Sequence, residues 1–186
     1  MRGKTLVLAA TILAAAAALA GLHYYTSRYD DPISRAAARN KVDFFLVKSI
    51  IHEESWFRSK ARGSAGEVGL MQITKAAAAD FAAHKGFPAL PEERLLEPEL
   101  NIEIGCWYLQ QSLQHYRSAP YPTLFALLRY NAGESRADSW MKLALSTPPA
   151  SGVSPEEHYL SAVDFPKTRA YARRILKRSR THNFWF

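Results

Sequence analysis

Ile50-Ile51-His52-Glu53-Glu54-Ser55-Trp56-Phe57 reads as the end of a helix that carries a carboxylate into an apolar environment. Asp43 suits the N-cap, and the helix is expected from about Phe44 to Ser55. On a helical wheel Phe44, Phe45, Leu46, Val47, Ile50 and Ile51 point on average to one side. Glu54 lies roughly 20° from the centre of that stripe and Glu53 roughly 120° from it. Glu54 is therefore expected to face the core or a cleft, and Glu53 to face water. His52 falls on the polar side and is given no role. A carboxylate on an apolar face is costly to ionise, so its pKa rises. Proteins make acids that hold a proton near neutrality in this way. The competing reading is a buried Glu neutralised by an Arg or Lys. The stretch alone leaves both open.

Outward from this helix the chain keeps breaking and restarting. Asp30-Asp31-Pro32 opens a short helix to about Asn40. Arg58 to Gly69, with Gly63, Gly66 and Gly69, is a loop. Thr74 is a candidate N-cap for a helix from Ala76 to about Lys85. Asn101 to about Tyr116 is strongly patterned, with Ile104, Tyr108 and Leu109 on one face. Thr123 is expected to cap a helix from Leu124 to Tyr130, broken at Asn131-Ala132-Gly133. Arg136 to Leu145, Glu156 to Ala162 and Lys167 to about Ser179 are further helical runs, with a Pro/Ser/Gly loop over 146–155. No run of strand period or internal repeat is found. The fold class is all-α.

The N-terminus stands apart. Met1-Arg2-Gly3-Lys4 is basic, Leu6 to Leu22 is apolar without a charge, and Ala18-Leu19-Ala20 before Gly21 fits a small-x-small cleavage site. A cleaved signal peptide and a retained signal-anchor are both open, and either exports the remainder of the chain. The expected division is residues 1–24 as signal or anchor, 25–39 as linker and short helix, 40–180 as the main domain and 181–186 as a tail. The lone Cys106 allows no intrachain disulfide, lies too far along to carry a lipid at a mature N-terminus, and reads as a small buried residue. The six His show no metal-ligand spacing. A net charge of +7 favours polyanions. Export argues against nucleic acid and for anionic lipid or acidic wall polymers, although Lys167 to Arg180 is dense in Lys and Arg and also reads as a solvated helix face.

Chemistry would gather at the helix ends. Glycine-spaced backbone at Gly66-Glu67-Val68-Gly69 lets a ligand approach closely. Gln72 offers a donor and an acceptor, and Met71 an adaptable apolar surface. Tyr130-Asn131 adds a phenol and an amide. Each cluster alone also reads as a cap or turn. Glu67 is a second carboxylate, placed in a loop and expected to be solvated.

Taken in order, Glu54-Ser55-Trp56-Phe57, Gly69-Leu70-Met71-Gln72, Asn101-Ile102 with Gly105 and Tyr108-Leu109, Tyr130-Asn131-Ala132-Gly133, and Phe165-Pro166 with Thr168-Arg169 and Tyr171 resemble the soluble lytic transglycosylase family. This is the cell-wall-cleaving branch of the lysozyme-like superfamily. The resemblance covers roughly residues 40–178. It implies a lysozyme-like multi-helix domain behind the N-terminal apolar segment, in the cell envelope on the periplasmic side. It implies Glu54 as the acid/base, the residue the helical wheel singles out independently. It also implies that Ser55 orients the site or the substrate's acetamido group, that Met71 and Gln72 line the cleft, that Tyr130 approaches the carboxylate and the scissile sugar, that Asn131 fixes its helix end, and that Arg169 and Tyr171 lie near the cleft. Two positions depart from the pattern: Arg129, where a small residue is usual, and Lys167, where an acidic one is common.

Ordinary glycosidases flank the bond with two carboxylates. Only Glu54 is well placed in sequence. The resemblance implies that it protonates the leaving oxygen of the β-1,4 bond between N-acetylmuramic acid and N-acetylglucosamine. It then deprotonates the muramic C6 hydroxyl to leave a 1,6-anhydro end. No metal or cofactor is implied, and the partners are peptidoglycan strands, with an anionic membrane surface at the anchor. The chain is expected to be a monomer. The rivals are a water-using muramidase, with Glu67 or Glu134 as second carboxylate, and a catalytically inactive wall-binding domain of an envelope machine.

Overall fold

The computed structural model describes residues 2–184. Met1 of the expected basic head and residues 185–186 of the expected tail lie outside them. The described residues form helices α1 (Arg2–Ser27), α2 (Asp30–Asn40), α3 (Phe44–Ser55), α4 (Lys75–Lys85), α5 (Glu92–Leu95), α6 (Pro98–His115), α7 (Pro122–Ala132), α8 (Glu134–Ser146), α9 (Pro155–Ser161) and α10 (Pro166–Thr181). Two isolated bridges, Arg62 with Val68 and Val68 with Ile73, shape the α3–α4 loop. The all-α reading holds.

α3 sits at the centre because it is wrapped on nearly every side. Its apolar stripe buries Val47, Ile50 and Ile51 completely, each such side chain contributing about 1.5–3 kcal/mol. Asp43 caps it as expected, its carboxylate accepting from the Leu46 amide at 2.7 Å. α10 packs along one side of α3 and α2 along another, while α6 joins α2 to α7 and α7 carries α8. The Lys48 ammonium, itself buried, reaches Asp30 of α2 at 2.7 Å. Arg39 and Asn40 at the end of α2 clamp Glu103 of α6 at 2.6 and 3.0 Å. The short helix expected beside the linker packs into the domain, with Ile33 and Ala36 in the core.

The polar side assigned to α3 does not exist. His52 is 1% exposed, its ring set against Trp56, Phe57 and Phe184. Burial and the nearby Arg178 guanidinium lower its pKa to about 4. Glu53 is covered too, bonded by Arg174 at 2.5 Å and Arg178 at 3.4 Å. A helical wheel sees one helix. α10 and the C-terminal segment that close over it lie more than a hundred residues away. Other differences are smaller: α6 starts at Pro98, α5 was not expected, and α7 runs through Asn131 to Ala132, with Gly133 as its C-cap.

The close approach of loop to helix depends on two glycines. A Cβ on Gly105 of α6 would overlap the sulfur of the buried Met71. Gly69, at φ +80°, leaves room for the Asn101 amide. Gly105→Ala is expected to cost about 1–3 kcal/mol in overpacking, outweighing the roughly 1 kcal/mol helix-propensity gain of Ala over Gly. A lowered Tm in thermal unfolding checks this.

α1 is apolar, exposed along 9–20, and long enough to cross a membrane by length and composition. Its last turn returns to the domain: Tyr25 donates to the Trp56 carbonyl at 2.8 Å, and Arg28 donates to the Phe57 carbonyl.

Candidate active site

Four elements bring the site together. The last turn of α3 supplies Glu54, the glycine loop supplies its far wall, and α7 and α10 supply the hydroxyls. Trp56 and Phe57 follow Glu54 with φ of +51° and +58°. This left-handed turn stops the helix and throws the loop back beside it. The result is a groove of about 290 Å³ lined by Glu54, Gly63, Ser64, Glu67, Gln72, Thr74, Tyr130 and Asn131. A smaller recess of about 60 Å³ continues it past Gln72, Thr74 and Tyr130 to Tyr108.

Glu54 is mostly buried, with its carboxyl toward the groove. Loss of solvation raises its pKa to about 7; the Tyr171 hydroxyl, donating at 2.7 Å to Oε1, opposes that rise, and Glu53 and Glu67 add to it. The group can hold a proton at neutral pH and also release it. The Tyr171 bond occupies one oxygen and leaves Oε2 for chemistry. Neutralisation by arginine, the competing fate for Glu54, falls instead to its neighbour Glu53.

The other expected residues divide in two. Gln72, Tyr130 and Asn131 line the groove, and Tyr171 touches the carboxylate. Gln72 sits at φ +48° with its amide donating to the Gly69 carbonyl at 2.9 Å, so its oxygen is available to a ligand. Tyr130 donates to the Met71 carbonyl at 2.8 Å, pinning α7 to the loop. Asn131 accepts from Thr168 at 2.7 Å, tying α7 to α10. Ser55 and Met71 are fully buried, however. The Ser55 hydroxyl turns back to the Ile51 carbonyl, and Met71 packs behind the groove on Gly105. Arg169 is spent on the Val163 carbonyl at 2.9 and 2.5 Å, holding the α9–α10 connection.

Glu67, expected in solvent, is half-buried in the same groove, one oxygen accepting from the Ala65 amide at 3.1 Å. Glu134 does not join it; it pairs with Arg129 at 2.8 Å. That pair also absorbs the charge of the atypical Arg129. Thr74 was legible only as a cap, which it is, and also lines the groove. His115, Glu134 and Asp138 come within 4.8 Å of one another, at the surface away from the groove, and are engaged by Arg129 and Tyr116.

The sequence matches the Transglycosylase SLT domain over residues 31–149. The chain belongs to this family. The SLT domain here is 30% identical over 152 residues to the soluble lytic murein transglycosylase of Salmonella typhimurium, covering 80% of this chain and 22% of that protein. The same protein of Escherichia coli K12 is 27% identical over 149 residues, with the same coverage. The chain thus spans about a fifth of the length of these relatives. Its SLT fold superposes on a 70-kDa soluble lytic transglycosylase solved in complex with bulgecin A, at TM-score 0.73 and 25% identity, covering 85% of this chain and 24% of that one. The lysozyme-like, all-α expectation is met.

Proposed function

We propose that this SLT domain cleaves the β-1,4 bond between N-acetylmuramic acid and N-acetylglucosamine in peptidoglycan and leaves 1,6-anhydromuramic ends. The observation that carries the reading is Glu54: a shielded carboxyl with pKa near 7, oriented by Tyr171, at the floor of an open groove. Protonated Glu54 gives its proton to the glycosidic oxygen, and the substrate's acetamido group steadies the developing cation. The same carboxylate then takes the proton of the muramic C6 hydroxyl as that oxygen closes on C1. Attack by a tethered nucleophile has the advantage of high effective concentration and consumes no water. Gln72, Asn131 and Ser64 would hold the sugars, and Ser55, Met71 and Arg169 would act from behind by packing. The domain works as a monomer on the periplasmic side, anchored by a retained α1.

A second reading has one observation in its favour. Glu67 shares the groove with Glu54, and a second carboxylate could activate water as in a muramidase. Mass analysis of digested peptidoglycan decides between them. Anhydro ends are expected; reducing ends would reject the transglycosylase reading, and no release at all would leave the inactive wall-binding domain.

Tyr171→Phe removes the hydrogen bond that holds Glu54's pKa down. The alkaline limb of the pH–rate profile should therefore move to higher pH. The maximal rate should fall by about tenfold to a hundredfold, because the carboxyl loses its orientation. A limb that stays put or moves down would show that Tyr171 does not act on Glu54.

A further inference from the structure

A cavity of about 580 Å³ lies apart from the groove. It lies on the other side of α3's last turn and is lined by Glu53, Trp56, Arg174, Lys177, Arg178 and Thr181, with Asn183 at its edge. Successive helical residues point about 100° apart, so Glu54 serves the groove while Glu53 serves this cavity. Its wall carries three cations against one carboxylate. Glu53 engages Arg174 and Arg178, and Lys177 is exposed with no acidic partner within ion-pair distance among the described residues. Beside these cations Trp56 is 58% exposed, an unusual position for so large an apolar ring.

The end of α1 fastens to this same edge. Tyr25 holds the Trp56 carbonyl, and Arg28 holds the Phe57 carbonyl and lies over the Tyr25 ring at 4.0 Å. The uncharged run of α1 ends at Leu22, so Tyr25 stands only about 5 Å further along the helix axis. Tyr24, beside it, is exposed. Tyr and Trp at that depth, with Lys and Arg just beyond, match the headgroup layer of a bilayer.

We propose that the cavity formed by Trp56, Arg174, Lys177 and Arg178 takes the phosphate headgroup of an anionic phospholipid and seats the domain on the membrane. Trp56 enters the interface, and the cations meet the phosphate beside it. The seat fixes the height and tilt of the groove above the bilayer, because Glu53 and Glu54 share one helical turn. This rests on α1 remaining as an anchor, and not on the chemistry of Glu54.

The test uses the full chain in nanodiscs whose acyl chains are brominated near the headgroup, made from phosphatidylcholine alone or with added phosphatidylglycerol. Trp56 emission, taken as the difference between wild type and Trp56→Phe, should be quenched more strongly when phosphatidylglycerol is present. Lys177→Glu should lower the ratio of seated to lifted domain by at least about fivefold, as should high salt in direction. Equal quenching in both lipids, or no effect of Lys177→Glu, overturns the headgroup site. So does quenching that ignores phosphatidylglycerol but is relieved by soluble wall peptides. Intact mass and carbonate extraction of the same sample test the anchor separately. A trimmed or released chain overturns both readings, whereas a retained chain with unquenched Trp56 overturns only the headgroup site.

Discussion

Glu54→Gln is expected to lower peptidoglycan turnover by about 10³- to 10⁴-fold while leaving glycan binding in place. A general acid or base alone contributes about 10²–10⁴, and here one side chain serves both steps. The amide is isosteric and its oxygen still accepts from Tyr171, so the groove keeps its shape. The same variant has a second signature. In the folded chain the Glu54 pKa is raised from 4.5 to about 7 by burial. Between those values the folded state binds the extra proton, so stability falls as pH rises through that window. Above about pH 7 the ionised carboxylate costs up to about 3 kcal/mol, at 1.36 kcal/mol per unit. Glu54→Gln removes that cost. Its Tm should therefore exceed wild type at pH 8 and approach it at pH 5. Undiminished turnover would end the assignment of Glu54, and a Tm difference that ignores pH would show that the carboxyl is not shielded as described.

Asn101→Ala should destabilise the domain by about 3–5 kcal/mol, enough to unfold much of it near physiological temperature. Asn101 is completely buried on α6. Its amide donates to the Leu95 carbonyl at 2.7 Å and the Val68 carbonyl at 2.9 Å, and its oxygen accepts from the Met71 amide at 2.8 Å. Truncation leaves the Leu95 carbonyl and the Met71 amide in the interior without partners, at about 1–3 kcal/mol each before relaxation, while the Val68 carbonyl keeps only the Ile73 amide at 2.9 Å. The glycine loop that forms one wall of the groove is the part these bonds hold, so glycan binding should weaken even where the fold survives. Urea unfolding measures the first effect and glycan titration the second. A loss below about 1 kcal/mol, typical of a surface change, would show that water replaces the amide.

Within the site, legibility followed range of interaction. Asp43 and Thr74 were readable as caps because a cap bonds three residues ahead. Glu54 was readable because its helix is amphipathic on the face that matters. Glu53 and His52 were misjudged by the same wheel, since Arg174, Arg178 and Phe184 cover them from the other end of the chain. Ser55 and Arg169 came in through resemblance, which carries a position but not the direction of a side chain, and the apolar chemistry that singled out Met71 does not say which way it points either. Glu67 looked solvated because a loop has no periodicity from which a buried face can be inferred.

Alternation of apolar runs with glycine and proline breaks was enough to determine an all-helical domain, an apolar lead segment and a carboxylate at the end of a greasy helix. Those features depend on neighbours within a few turns. That the carboxylate opens on a groove, that Tyr171 from 117 positions away donates to it, and that its neighbour faces a basic cavity at the foot of α1 were decided only when α10 closed onto α3. Solvation and hydrogen bonding set a pKa, and both depend on which distant segments displace the water.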